Sequence, residues 1–134
     1  MSEEFVVDAT AVTDALTRKD TVGVALARHI TESVCHAPHL IDAEVGHVLR
    51  RVERLGQITE ESAATGLRAL PSLIDERYAH TGWLAGEAWR LRHTITFYDG
   101  LYVALATRLE LPLLTGDVKL SKTPGLPCAV TLIN

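Results

Sequence analysis

The chain has 134 residues, with 13 Lys+Arg against 17 Asp+Glu, a net charge of −4 and a pI near 5.8. That balance excludes a cationic nucleic-acid-coating protein, whose signature is a pI above roughly 9. It leaves nucleic acid open as a substrate, because the placement of the acids decides that question. The length suits one domain, read as 1–134, able to bury about two-thirds of its unfolded surface without disulfides. Cys35 and Cys128 are far apart and form no CxxC pair, so a reducing, cytoplasmic setting is expected. No apolar run approaches the ~18 residues of a membrane span, and the first residues carry no signal-peptide pattern.

Phe5-Val6-Val7 ahead of Asp8-Ala9-Thr10 predicts a buried strand running into a helix. Residues 10–18 and 20–31 read as helices divided near Lys19-Asp20, and Ser33 to His36 as a strand closed by Pro38. Residues 39–55 give the clearest helix. Ile41, Val45, Val48, Leu49, Val52 and Leu55 form a stripe of helical period, and Gly56 stands where a C-terminal glycine belongs. Thr59 caps the next helix, over 59–70, with Glu60 and Glu61 suited to its N-terminal dipole and Pro71 ending it. A weak strand follows over Leu73 to Tyr78, then helices over 81–92 and 97–110. Leu113 to Thr115 is a short strand, Asp117 to Leu120 one helical turn, and Cys128 to Ile133 the last strand. Short apolar strands alternating with helices predict an α/β fold whose mostly parallel sheet is covered on both faces.

Open parallel sheets build their sites outside the C-terminal ends of the strands. Asp8 follows the first strand and Asp117 the fourth, Asp99 opens the apolar helix before that strand, and Glu44 lies in the first turns of the clearest helix. Each acid alone has a plain structural reading: Asp8 and Asp99 as helix caps, Asp117 as an Asx turn, Glu44 as a partner of Arg51. Together they place four carboxylates at one sheet edge, where mutual repulsion calls for compensation. Mg²⁺ or Mn²⁺, one ion or two, provides it through carboxylate and water oxygens. Thr10 and Thr115 neighbour the acids and are placed to orient them. Arg50, Arg51 and Lys119 are candidate contacts to a phosphate backbone. Asp42 is set aside as solvated or as an outer neighbour of the site. His36 and His39 read as surface or loop residues, and Trp83 and Trp89 as core or dimer contacts. The sequence contains no GxGxxG, GxxxxGK[ST], HExxH or GxSxG, which removes the nucleotide-loop, zincin and serine-hydrolase readings.

Four segments, taken in order, resemble PIN-domain ribonucleases, in particular the VapC-type toxins of bacterial toxin–antitoxin pairs. They are Val6-Val7-Asp8-Ala9-Thr10-Ala11, the run from Pro38 through Glu44 to Arg51, Tyr98 to Ala106, and Leu113-Leu114-Thr115-Gly116-Asp117. The resemblance implies a PIN-like domain with a five-stranded parallel sheet. It also implies that Asp8, Glu44, Asp99 and Asp117 bind metal and catalyse, with Thr10 and Thr115 in support. Mg²⁺- or Mn²⁺-dependent hydrolysis of single-stranded RNA is implied, as are a homodimer and a hetero-oligomer with an antitoxin seated in the active-site groove. Relatives often carry Asn three residues after the helix glutamate; here His47 stands there. The alternative is a catalytically silent PIN-like module that binds protein.

Overall fold

The computed structural model describes residues 2–133. Its elements are β1 (Glu4–Val7), α1 (Ala9–Thr17), α2 (Thr21–Thr31), β2 (Val34–Pro38), α3 (Leu40–Arg54), α4 (Glu60–Leu73), β3 (Glu76–Tyr78), α5 (Trp83–Arg90), α6 (Phe97–Leu109), β4 (Leu113–Thr115), α7 (Val118–Ser121) and β5 (Val130–Leu132). The strands form one sheet in the order β3-β2-β1-β4-β5, and every pairing is parallel. The expected α/β architecture is therefore present, with the sheet parallel throughout.

The order reverses direction between β1 and β4. Right-handed crossovers then place α1 to α4 on one face and α5 to α7 on the other. The C-terminal ends of β1 and β4 thus flank the switch point, where open α/β sheets form their clefts. Val6, Val7, Leu113 and Leu114 are buried on these two central strands, as the short all-apolar runs predict. Helix α6 is buried from Gly100 to Ala106 and packs on β1, β2 and β4. A helix apolar all round is one enclosed by its neighbours. Gly100 lets α5 approach it: a Cβ there would stand 3.0 Å from the Ala88 carbonyl oxygen. None of the described helices is long and apolar enough to cross a membrane.

Some boundaries and burials differ from the sequence reading. Helix α4 continues past Pro71 to Leu73. Proline removes one donor, and in the last turn of a helix that loss does not force the chain out at once. Pro38 is the last residue of β2 rather than the residue after it, and the ladder resumes with the His39 N–H donating to the Tyr78 carbonyl. His36 is not a surface residue. It is buried on β2, with its ring nitrogens against the Tyr78 hydroxyl and the Glu4 carboxylate, whereas His39 is exposed. The stripe on α3 is narrower than expected: Ile41, Val45 and Leu49 are buried, while Leu55 is 65% exposed. Trp83 and Trp89 lie on the surface, so neither is a core residue. Arg92 sits over the ring of Trp89 and Arg108 over that of Trp83.

Candidate active site

Asp8 ends β1 and caps α1, and this dual position explains why it is buried. Its Oδ1 accepts from the Ala11 N–H at 3.0 Å, the cap bond, and from the Thr10 hydroxyl at 2.6 Å. Its Oδ2 accepts from the Thr115 hydroxyl at the end of β4. Thr115 Oγ1 in turn accepts from the Asp117 N–H at 3.0 Å, and Thr10 Oγ1 from the Gly116 N–H at 2.8 Å. A hydroxyl can donate once and accept as well, so the two threonines lace β1 to β4 across the switch point. Gly116 is part of this lacing, because a Cβ there would meet Thr10 Oγ1 at 3.3 Å and the Ile133 side chain at 3.2 Å. Asp117 caps α7 by accepting from the Leu120 N–H at 3.1 Å. The cap and Asx-turn readings of Asp8 and Asp117 are thus realised alongside their convergence.

Glu44 enters from α3. It does not pair with Arg51; its Oε1 accepts from the Tyr102 hydroxyl of α6 at 2.6 Å. Asp99 opens α6, where Thr96 supplies the cap by accepting from the Asp99 N–H at 3.1 Å. Asp42 points elsewhere and makes a two-pronged bond with Arg77.

Electrostatics tie the acids together. Burial raises the pKa of Asp8 above the ordinary carboxylate value; Thr10, Thr115 and Ala11 pull it down and Asp99 pushes it up. Burial also raises Glu44, opposed by the Tyr102 hydroxyl and reinforced by Asp8 and Asp99. Asp99 is raised by burial and then by Asp117, with Thr96 and Lys119 acting the other way. Tyr102 is pushed far up by burial and by Glu44, so its hydroxyl remains a donor. Among the described residues none of these four carboxylates forms an ion pair, although Asp14, Asp20, Asp42 and Glu87 all do.

A hard divalent cation suits this donor set, which is all oxygen, negatively charged and in no ion pair among the described residues. Among the described residues no three acidic, histidine or cysteine side chains already enclose an ion-sized position. Burial pushes the Cys35 thiol up to about 12, which keeps it protonated and apart from this chemistry.

Three hollows open around the acids. One, of 460 Å³, joins Thr10 and Gly116 to Arg51. A second, of 300 Å³, sets Lys119 and Arg92 beside Asp99 and Asp117. The third, of 460 Å³, lies between Glu44 and His47 of α3 and Tyr98 of α6. Lys119 thus lies beside Asp99 and Asp117, Arg51 lines the hollow at Thr10 and Gly116 that none of the four acids lines, and Arg50 is exposed and lines none of the three. A larger hollow, of 760 Å³, lies along α2 at Lys19, Val24 and Arg28, away from the acids. The sequence reading missed Tyr102 as the partner of Glu44. No local pattern pairs it with Glu44, which lies 58 positions away.

Comparison with known proteins places the chain in a family. The family model described as "PIN domain" matches residues 5–126. The chain is 54% identical over 131 residues to Ribonuclease VapC1 of Mycobacterium tuberculosis (strain CDC 1551 / Oshkosh), covering 98% of each. Its fold is similar to VapBC2 from Rickettsia felis bound to a DNA fragment from their promoter (TM-score 0.70, 13% identity, 98% and 99% of the two chains). It is also similar to Mycobacterium tuberculosis VapC20, a sarcin-ricin loop cleaving toxin (TM-score 0.65, 16% identity, 93% and 98%).

Proposed function

The chain belongs to the PIN-domain family, among its VapC-type ribonucleases, and on that premise we propose that it is a metal-dependent endoribonuclease, the toxin of a toxin–antitoxin pair. The observation that supports this reading most strongly is the set of four carboxylates at the β1/β4 switch point, coupled to one another and paired with no cation among the described residues.

In this reading Asp8, Glu44, Asp99 and Asp117 hold Mg²⁺ or Mn²⁺, one ion or two. The bound ion supplies Lewis-acid stabilisation of phosphoryl oxygen and acidifies water. The chain's own residues do the rest. Thr10 and Thr115 donate to both oxygens of Asp8, which opposes the rise in pKa that burial imposes and fixes the carboxylate in direction. Tyr102 does the same for one oxygen of Glu44. Lys119, with Arg92, offers positive charge where the departing RNA segment carries phosphate, and Arg51 does so on the Thr10 side. Water attacks the phosphorus in line, and the products are 5′-phosphate and 3′-hydroxyl ends.

The reading extends to partners. The VapBC similarity supports a cognate antitoxin that blocks the groove in a hetero-oligomer. Exposed Trp83, Trp89 and Phe97 on α5 and at the start of α6 provide apolar area for a homodimer. The enzyme acts in the cytoplasm, where its RNA substrate and its unpaired cysteines are both at home. Asp99→Asn tests the catalytic claim, since it keeps the shape and removes the charge. Cleavage of RNA by the wild type should need Mg²⁺ or Mn²⁺, and the variant should lose at least about a hundredfold in kcat. Full activity in the variant, or in EDTA, contradicts it.

A further inference from the structure

We infer that the hollow between α3 and the start of α6 seats an unpaired RNA base beside the cleaved phosphate, stacked on Tyr98. This rests on the ribonuclease reading above and adds a substrate contact to it. The two hollows that meet at Asp99 and Glu44 differ in chemistry. On the Asp99 side, Arg92 and Lys119 offer positive charge. On the Glu44 side the lining is Leu40, Ala43, Val48, His47 and Tyr98, with no Lys or Arg. A phosphate gains little in the second hollow, and a flat base gains a great deal.

Tyr98 is 57% exposed, although it adjoins Asp99 at the rim of the acids. Its position carries no structural task that explains the ring. Thr96 caps the helix, Phe97 packs on Trp89, and Tyr102 one turn later is buried and bonded to Glu44. Among the described residues Tyr98 takes part in no ring–ring contact and no hydrogen bond. An exposed aromatic beside a phosphodiester-cleaving centre is how single-stranded nucleic acid is gripped without strict sequence readout. An RNA lying across Glu44 and Asp99 has this hollow on one side and the Lys119 hollow on the other, so base contact is favoured on the Tyr98 side and phosphate contact on the Lys119 side. His47 lines the same hollow and carries ring nitrogens able to hydrogen-bond a base.

The test pairs the enzyme with a chemically edited substrate. An RNA oligonucleotide carrying one mapped cut site is made intact and with an abasic nucleotide at each position flanking the cut. Wild type, Tyr98→Ala and Tyr98→Trp are assayed for kcat and KM, with Mn²⁺ affinity as the check that the acidic site is intact. One abasic position should raise the wild-type KM about tenfold with little change in kcat. Tyr98→Ala should raise KM for the intact RNA to a similar degree and be indifferent to that abasic position. Tyr98→Trp should restore both behaviours. Unchanged KM in Tyr98→Ala, with abasic sensitivity retained, overturns the inference and leaves the ribonuclease reading standing. Loss of affinity for the antitoxin alone, with RNA cleavage unaltered, also overturns it and assigns the hollow to protein. Absence of any RNA cleavage by wild type overturns the ribonuclease reading and this inference together.

Discussion

Asp8 shows how a helix cap becomes a candidate metal ligand. One bond, from Ala11, is all that capping needs. The two hydroxyls from Thr10 and Thr115 are additional, and they offset part of the cost of burying the carboxylate, whose pKa is still raised. Tyr102 does comparable work for Glu44. Tyr102→Phe keeps the buried ring and removes the donor, so Glu44 should become harder to ionise. The acidic limb of the pH–rate profile should move to higher pH, with a stability loss of about 1.5–3 kcal/mol for a hydrogen bond to a charged group. An unmoved limb would show that the bond is only structural. Gly116→Ala crowds Thr10 and Ile133. It should cost about 1 kcal/mol in unfolding experiments and proportionally more in kcat, because Thr10 shifts away from Asp8. At this scale the identities of the acids were legible, since strand ends and helix starts mark them. Tyr102 was not, because its partner lies 58 positions away and no local pattern reports such a distance.

At the scale of elements, α3 matters most, because it carries Glu44 and His47. It starts without a side-chain cap of its own, since His39 makes no such bond. His80, in the β3–α5 connection, accepts from the Leu40 N–H at 2.8 Å instead. Burial and nearby His39 hold the His80 pKa below its ordinary value, which keeps the accepting nitrogen unprotonated. A histidine depressed in the folded state gives stability that is present above its unfolded pKa and lost as pH falls through the folded one. His80→Ala should therefore cost about 1 kcal/mol at neutral pH, and the gap from wild type should shrink on acidification. Urea denaturation of both proteins at several pH values measures this, and a gap independent of pH would contradict it. The elements themselves followed closely from apolar period, Thr59, Gly56 and the strand-ending acids. What local pattern could not supply came from elsewhere in the fold. His36 is buried because Glu4 and Tyr78 satisfy it from neighbouring strands, and Pro71 stays helical because the turn it weakens is nearly the last.

For the whole molecule, the net charge of −4 equals the charge of the four proposed ligands, so the remaining charges balance at 13 against 13. An acidic pI is therefore compatible with an RNA substrate when the excess acids are concentrated in one site and met by cations. Asp8, Glu44 and Asp99 all have raised folded-state pKa values. In that case the folded state binds more protons than the unfolded one, and unfolding free energy falls as pH rises through the carboxylate range. Without divalent cations, Asp99→Asn should equal or exceed wild type in Tm at neutral pH, and lose that advantage at about pH 4. Adding Mg²⁺ or Mn²⁺ should reverse the order, since an ion bound only to the folded wild type stabilises it by about 2.7 kcal/mol at a hundredfold excess over Kd. A wild type more stable than the variant in EDTA at neutral pH would show that the acids are paired in some other way.

The claim beneath all of this is that four carboxylates from β1, α3, α6 and the end of β4 act as one cation site. Calorimetric titration of Mn²⁺ into wild type, Asp8→Asn and Glu44→Gln at neutral pH addresses it directly. The account predicts saturable binding by wild type, with proton release seen as a dependence of the heat on buffer, and weakening of at least about tenfold in each variant. Saturable binding of wild-type affinity in Asp8→Asn would contradict it.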